Sequence, residues 1–151
     1  GIPDSVLKKP GTFTPDERQT MNRHPAIGAS ILGKSRIELF QLASEIALTH
    51  HERWDGQGYP NQLAGEDIPL SGRIVAVVDF YDALTMNRVY RPAFSHEKVL
   101  EMLLAERGRA FDPAIVDCFM RSNIAMSAVR ERVTNQQMTF SDLIQNEPVN
   151  P

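Results

Sequence analysis

The sequence predicts an all-α fold, a helical bundle of five to seven helices. Apolar residues recur at spacings of three and four in several segments, which is the period of an amphipathic helix. Ser or Thr residues stand where several of those segments begin, as they do at helix N-termini. The one run that could form a strand, IVAVV at 74–78, continues through Tyr81 and Leu84 without a turn signal, so its length favours a helix.

The first part of the chain is predicted to hold an irregular segment and two short helices. Residues 1–13 contain two prolines and two glycines, which favours irregular structure. Thr14 then caps a helix, because a proline follows it directly and Thr14 with Glu17 fits a capping box. Pro25 disfavours helical geometry for the residue before it, so we expect His24 to be extended at the mouth of the second helix.

The clearest helix is predicted over residues 36–51, RIELFQLASEIALTHH. Its apolar face consists of residues spaced three and four apart, namely Ile37, Phe40, Ala43, Ile46, Ala47 and His50. A loop rich in Gly, Pro, Asp and Asn follows over 52–69, and then a largely apolar helix over 70–88. Asp79 is a carboxylate within an apolar face of that helix, where its charge is costly unless a cation pairs with it.

The last part of the chain is predicted to begin with two helices and to end in a tail. Ser95 caps the first of them and Pro113 opens the second. Beyond residue 122 the helical pattern weakens, and the final segment is polar and contains proline. We therefore interpret residues 134–151 as a linker or a tail.

Composition and charge are those of an ordinary globular protein. The 151 residues are 42% hydrophobic and 23% charged, enough for one domain with a core. The formal net charge of −3, without a basic run, disfavours a duplex nucleic-acid partner. No apolar run is long enough to span a bilayer. The single cysteine, Cys118, cannot form an internal disulfide, which favours a reducing compartment such as the cytoplasm.

Four histidines, 24, 50, 51 and 96, and Asp79 are the candidates for metal chemistry, because imidazole and carboxylate suit Zn, Mn and Fe(II). Neighbouring side chains on a helix diverge by about 100°. We therefore expect His50 and His51 to reach different ions of a multinuclear cluster rather than to chelate one ion. From the residues alone, metal ligation and a structural role are equally open for His50, His51 and Asp79. His96 directly follows a predicted cap, and we interpret it as a hydrogen-bonded structural residue.

Four motifs, in this order, resemble those of the HD-GYP family, a branch of the HD metal-dependent phosphohydrolases. They are HHERWDGQGYP at 50–60, GEDIPLSGRIVAVVDFYDAL at 65–84, RVYRPA at 88–93 and FDP at 111–113. The resemblance covers roughly residues 1–122, including GIPDSVLKKPG and HPAIG. It implies that residues 1–122 are the C-terminal portion of an HD-GYP domain and that residues 123–151 are a C-terminal extension or tail. It implies a helical bundle of the HD-domain type. It also implies a metal-dependent phosphodiesterase that hydrolyses cyclic di-GMP to pGpG or GMP.

The resemblance assigns metal ligands to four residues. His24, His50, His51 and Asp79 each match a metal-ligand position of the family. An intact domain of this kind is expected to hold two or three divalent ions, with Fe, Mn and Zn as the candidates. This metal cluster would clamp the scissile phosphate and activate a water molecule.

The resemblance also assigns substrate and partner contacts. Arg88 and Arg91 match basic positions that contact the substrate phosphates, a task that suits the permanently charged, forked guanidinium. Gly58, Tyr59 and Pro60 match the GYP signature, which is implicated in contact with partner domains of the GGDEF type.

One departure from the family pattern affects the expected activity. The family takes its first name from a His-Asp pair that is followed by a lysine and precedes the segment matching GIPDSV, with which this chain begins. No His-Asp dipeptide occurs in the sequence, so no catalytic residue is assigned. We expect an N-terminally truncated domain whose activity is impaired, from a cytoplasmic bacterial signalling protein of the two-component type with an N-terminal sensor or receiver domain. The alternative is a non-catalytic module that binds cyclic di-GMP or a GGDEF-type domain.

Overall fold

The structure is a computed structural model that describes residues 1–87 and 92–134. Within these residues it contains eight α-helices, one 3₁₀ turn and no β-strand, which confirms the all-α class. The helices are α1 Asp4–Leu7, α2 Pro15–Met21, α3 His24–Leu32, α4 Glu38–Thr49, α5 Leu70–Thr85, α6 His96–Ala105, α7 Pro113–Arg121 and α8 Asn123–Thr134, and the 3₁₀ turn is Gly65–Asp67. None of the described helices is long and apolar enough to cross a membrane.

The chain divides into two compact units, of which the first is Gly1–Asp117 and the second begins at Cys118. In the first unit α3 packs on α4, α4 on α5 and α5 on α6. The sequence did not predict α1, a single turn in the segment expected to be irregular, or α8. The proposed domain boundary at residue 122 stays a prediction.

Helix α2 begins as the sequence predicts. The Thr14 hydroxyl accepts a hydrogen bond from the Glu17 N–H at 3.3 Å, and the Glu17 carboxylate accepts one from the Thr14 N–H at 2.7 Å. This reciprocal pair satisfies two backbone donors that the helix itself leaves unpaired. Ser95 caps α6 in the same manner, because its hydroxyl accepts from the Lys98 N–H at 3.2 Å.

His24 is the first residue of α3, so the expectation that it is extended was wrong. The two residues before it, Asn22 and Arg23, already have right-handed helical angles, with φ of −64° and −83°. The chain therefore turns directly from α2 into α3. Pro25 lies in the first turn of α3, where its missing N–H removes no bond within the helix. The helical geometry on both sides thus outweighs the bias that a proline places on the preceding residue.

Helix α4 is shorter than predicted, and part of its predicted apolar face is exposed. Ile37 precedes the helix as its N-cap and is 59% exposed, and Phe40 is 42% exposed. Close contacts with α3 and α5 instead fall at Ser44, Ala47 and Thr49, in the C-terminal half of the helix. Periodicity predicts which face of a helix is apolar, but neighbouring helices decide how much of that face is covered.

Gly72 allows α5 to approach the last turn of α4 closely. A Cβ at Gly72 would lie 2.9 Å from the Thr49 Cβ and would overlap the Thr49 hydroxyl. Thr49 is 3% exposed, and its hydroxyl donates a hydrogen bond to the Glu45 carbonyl at 2.7 Å. Because His50 and His51 follow Thr49 directly, this contact fixes both histidines beside α5.

The core of the first unit is formed by α5, α6 and the first turn of α7. Its fully buried side chains, each 0% exposed, are Val77, Val99, Leu103 and Val116. A buried ion pair joins Arg73 of α5 to Asp112 before α7 at 2.7 Å, and Asp112 is 4% exposed. This pair ties α5 to the segment that leads into α7.

Candidate metal centre

Three of the four histidines meet at one point of the first unit. The Nε2 atom of His24 lies 3.1 Å from Nε2 of His51 and 3.4 Å from Nε2 of His50. One nitrogen from each ring lies within 4.8 Å of the other two. His24 opens α3, whereas His50 and His51 follow the end of α4. The packing of α3 on α4 therefore assembles the cluster from distant parts of the sequence.

Backbone carbonyls orient two of the three rings. Nδ1 of His24 lies 2.8 Å from the Met21 carbonyl oxygen, and Nδ1 of His50 lies 3.0 Å from that of Ala47. A carbonyl oxygen only accepts, so Nδ1 carries the proton and Nε2 of the neutral ring presents a lone pair. Two such lone pairs that face each other repel unless a cation lies between them. Metal-binding histidines are commonly held in this way.

A divalent ion fits the cluster. Imidazole nitrogens bind such ions at roughly 2.0–2.1 Å, which separates two ligand atoms of a tetrahedral site by ~3.3 Å. The two separations that involve His24, 3.1 and 3.4 Å, lie near that value, and the three nitrogens all lie within 4.8 Å of one another. Burial, assisted by the charges of His50 and His24, lowers the pKa of His51 from its ordinary value of 6.5 to about 4. His51 is therefore neutral near pH 7, as metal ligation requires.

The expectation that His50 and His51 diverge was wrong. Their ring centroids are 4.1 Å apart with an interplanar angle of 38°, and both rings approach His24. Helix α4 ends at Thr49, and His50 is its C-cap. His51 therefore lies beyond the helix and is not held to the rotation of about 100° per residue. The turn after α4 brings the two rings to the same point.

Asp79 lines the same cavity as the histidines but is not buried. The cavity has a volume of about 330 Å³, and its walls include His50, His51 and Asp79. Within the described residues, the atoms that lie within 4.8 Å of one another come from the three histidines, without Asp79. We expected the Asp79 charge to be costly because the residue lies within an apolar helix face. In the structure Asp79 is exposed, so its carboxylate stays hydrated and loses little solvation free energy.

The GYP loop packs on His51. The Tyr59 ring stacks on the His51 ring, with centroids 4.9 Å apart and an interplanar angle of 26°. The Tyr59 N–H donates a hydrogen bond to the His51 carbonyl at 3.2 Å, and the Tyr59–Pro60 peptide bond is cis. A Cβ at Gly58 would lie 2.6 Å from the Cα of Glu52, so only glycine fits there. The loop therefore supports one face of the histidine cluster.

Glu52 is a positioning residue that sequence reasoning missed. It is 3% exposed, and its carboxylate accepts hydrogen bonds from the Asn61 N–H at 2.7 Å and the Leu63 N–H at 3.1 Å. These bonds replace the water that burial removes from the carboxylate. They also hold the loop that carries Tyr59. The sequence signal was an acidic residue at the start of a glycine-rich loop, where backbone N–H groups need acceptors.

The remaining sequence-predicted residues lie elsewhere or outside the described part. Arg88 and Arg91 fall outside the described residues. Nδ1 of His96 lies 2.8 Å from the Tyr81 hydroxyl, which confirms the interpretation of His96 as a hydrogen-bonded structural residue.

Comparisons with known proteins identify the family of the chain. The family model described as HD domain matches residues 1–115. A cyclic di-GMP phosphodiesterase of Vibrio cholerae is 54% identical over 125 residues, which are 80% of this chain and 25% of that protein. A 3'3'-cGAMP-specific phosphodiesterase 2 of the same organism is 46% identical over 129 residues, 85% of this chain and 25% of that protein. A cyclic di-GMP phosphodiesterase of Thermotoga maritima is 42% identical over 141 residues, 93% of this chain and 38% of that protein.

A solved structure shows the same fold. The crystal structure of a cyclic GMP-AMP specific phosphodiesterase of V. cholerae matches 87% of this chain and 31% of that chain, with a TM-score of 0.58 and 25% identity. The chain spans about a quarter of the length of the two V. cholerae relatives that it matches by sequence. Because the family match extends over most of the chain and includes the histidine cluster, the chain belongs to the HD domain family, in its HD-GYP branch.

Proposed function

We propose that this chain is part of a metal-dependent phosphodiesterase that hydrolyses cyclic di-GMP to pGpG or GMP. The observation that carries the proposal is the convergence of the Nε2 atoms of His24, His50 and His51 beside a cavity that Asp79 also lines. Relatives named as cyclic di-GMP phosphodiesterases in V. cholerae and T. maritima support the choice of substrate.

In this proposal the residues of the chain hold and orient the reacting groups. The carbonyl-anchored rings of His24 and His50 direct their lone pairs towards the ions, and Asp79 supplies an anionic oxygen from α5. When bound, divalent ions at such a site, expected to number two or three in an intact domain, would supply polarisation of the phosphate and activation of water. Fe, Mn and Zn all suit these ligands. The stacked Tyr59 ring keeps one face of His51 away from solvent and limits its rotation.

Arg88 and Arg91 complete the proposal as phosphate contacts. This assignment rests on the family likeness and on the ability of guanidinium to form paired, charge-assisted hydrogen bonds with phosphate oxygens. We also retain the loop at Gly58, Tyr59 and Pro60 as the contact for a GGDEF-type partner. In the whole protein we expect an N-terminal sensor or receiver domain and a bacterial cytoplasmic location.

The alternative function is a non-catalytic module that binds cyclic di-GMP or a GGDEF-type domain. The observation that favours it is the composition of the cluster. Within the described residues the converging atoms belong to three imidazoles, a set that suits one ion rather than a bridged pair. Hydrolysis of cyclic di-GMP by the metal-loaded protein separates the two functions.

Metal analysis tests the site directly. The purified protein is expected to contain Fe, Mn or Zn. His50→Ala should lower the metal affinity by more than about tenfold, because removing a ligand reduces affinity more than removing a group that only orients a ligand. His96→Gln is the matched control, since His96 contacts Tyr81 and lies outside the cluster. Unchanged metal content in His50→Ala would contradict the ligand assignment. Binding of cyclic di-GMP without release of pGpG or GMP would favour the non-catalytic module.

A further inference from the structure

A second cavity adjoins the one beside the histidines. Its volume is about 350 Å³, and it shares Arg53, Phe80 and Phe111 with the first cavity. A volume near that figure lies within the range of small-molecule sites, roughly 300–1,000 Å³. The cavity beside the metal cluster is about 330 Å³. Because the two cavities share wall residues, a substrate held by a phosphate at the histidines would bring a group attached to that phosphate close to the second cavity.

The walls of the second cavity suit a flat aromatic ligand. Its apolar part is formed by Phe80, Met102, Ala105, Ala110 and Phe111. Phe111 is 8% exposed and packs edge-to-face on Phe80 at a centroid distance of 5.0 Å, so Phe80 and Met102 are the side chains that a ligand can contact. Aromatic side chains stack on nucleobases irrespective of the identity of the base, and thioethers pack well against rings. These residues provide affinity for a purine but do not distinguish one purine from another.

The charged residues of the second cavity are Arg53 and Glu106. The Arg53 guanidinium is already engaged by both oxygens of Asp55, at 3.0 and 2.8 Å. Glu106 has only long contacts, at 3.5 Å to Arg53 and 3.8 Å to Arg109, and its side chain is 31% exposed. A carboxylate can accept about four hydrogen bonds. Glu106 is therefore the polar group with capacity left for a ligand.

We propose that the second cavity is a guanine subsite in which the Glu106 carboxylate accepts hydrogen bonds from the N1–H and the exocyclic amino group of the base. Guanine presents these two donors side by side, which matches the two oxygens of a carboxylate. Adenine presents an unprotonated N1 at the same place, and its lone pair repels a carboxylate. Sites that read a base through the hydrogen-bonding edge discriminate in this way. This inference rests on the proposed function, since it assumes that a cyclic dinucleotide is the substrate.

The test compares guanine with adenine ligands in Glu106→Gln. A glutamine offers one acceptor and one donor, which match the edge of adenine better than that of guanine. We expect the wild-type protein to bind GMP more tightly than AMP, and Glu106→Gln to reduce that preference roughly ten- to hundredfold. Phe80→Leu should weaken both nucleotides alike. Glu101→Gln is the matched control, because Glu101 lies in α6, of which Glu106 is the C-cap, lines neither cavity and pairs with Lys98.

Three results separate the subsite from the proposed function. In the first, wild type and Glu106→Gln both hydrolyse cyclic di-GMP and prefer it over cyclic di-AMP to the same degree. That result would overturn the guanine subsite but agree with the proposed phosphodiesterase activity. A guanine preference that Glu106→Gln removes, in a protein that does not hydrolyse cyclic di-GMP, would support the subsite and overturn the proposed activity. Failure of the wild-type protein to bind GMP or any cyclic dinucleotide would overturn both. A urea denaturation curve equal to that of wild type shows that each variant is folded.

Discussion

The imidazole of His51 is kept neutral by its surroundings. Burial removes water from the ring, and the nearby rings of His50 and His24 disfavour a further positive charge, so its pKa falls to about 4. Tyr59 stacks on the same ring, and Glu52 holds the loop that carries Tyr59. A neutral, fixed imidazole is ready to bind a cation, whereas a protonated one is not.

Because His51 resists protonation in the folded state, the free energy of unfolding of the metal-free protein should decrease in acid. Unfolded His51 binds a proton with its ordinary pKa of 6.5, whereas the folded residue does so only near pH 4. Between these values the unfolded state binds more protons, so the free energy of unfolding should fall as the pH drops from about 6.5 towards 4. Above that range the contribution of His51 is constant.

Urea denaturation with a chelator present, at several pH values between 7 and 4, measures this dependence. His51→Gln should show a shallower decrease than wild type, because glutamine does not titrate. An identical pH dependence in the two proteins would mean that His51 is not buried among its neighbours as described.

At the scale of elements, the position of the histidine cluster depends on how closely α5 approaches α4. Gly72 stands against Thr49, the last residue of α4, and His50 and His51 follow Thr49 immediately. On the other side of α4, Gly28 of α3 faces Ala47 at an ordinary contact distance, 3.4 Å for an added Cβ. The same helix is thus tightly packed on one side and less tightly on the other.

Gly72→Ala is therefore expected to destabilise the protein by about 1–3 kcal/mol, as overpacking of a well-filled contact does. It should also weaken metal binding, since relief of the clash moves the end of α4. Gly28→Ala is the matched substitution and should be neutral or stabilising, because alanine favours a helix interior by about 0.5–1 kcal/mol over glycine. Chemical denaturation and metal titration of both variants check this, and similar behaviour of the two would contradict the role of Gly72.

At the scale of the whole molecule, buried polar contacts join segments that are far apart in the chain. The Arg73–Asp112 pair links α5 to the start of α7, and the second oxygen of Asp112 accepts from the Ala114 N–H at 2.8 Å. The loop after the histidines is tied to the same region, because the Trp54 N–H donates to the Ala110 carbonyl at 3.0 Å. These contacts hold together the walls of both cavities.

Asp112→Asn is expected to lower the free energy of unfolding by about 3–5 kcal/mol, because it leaves the largely buried Arg73 charge without its partner. Asp117→Asn removes the carboxylate of an Arg107 pair whose side chains are 43% exposed, and should cost no more than about 1 kcal/mol. Urea denaturation of the two variants makes the comparison. Equal losses would show that the Arg73–Asp112 pair is no more important than a surface pair.

The sequence by itself determined the all-α class, the helix starts at Thr14, Ser95 and Pro113, and the family. These features depend on local signals, since caps, prolines and apolar periodicity act within a few residues. The motif HHERWDGQGYP likewise identified the histidines after α4 as candidate ligands, through its resemblance to the HD-GYP family.

The tertiary structure alone decided how those candidates are arranged. It placed His24 inside α3, turned His50 and His51 towards one point, left Asp79 exposed, and buried Glu52 beneath the GYP loop. Each of these outcomes is set by a contact between residues that are distant in sequence. Periodicity along one helix carries no information about such contacts, because burial and convergence depend on which other helix lies opposite.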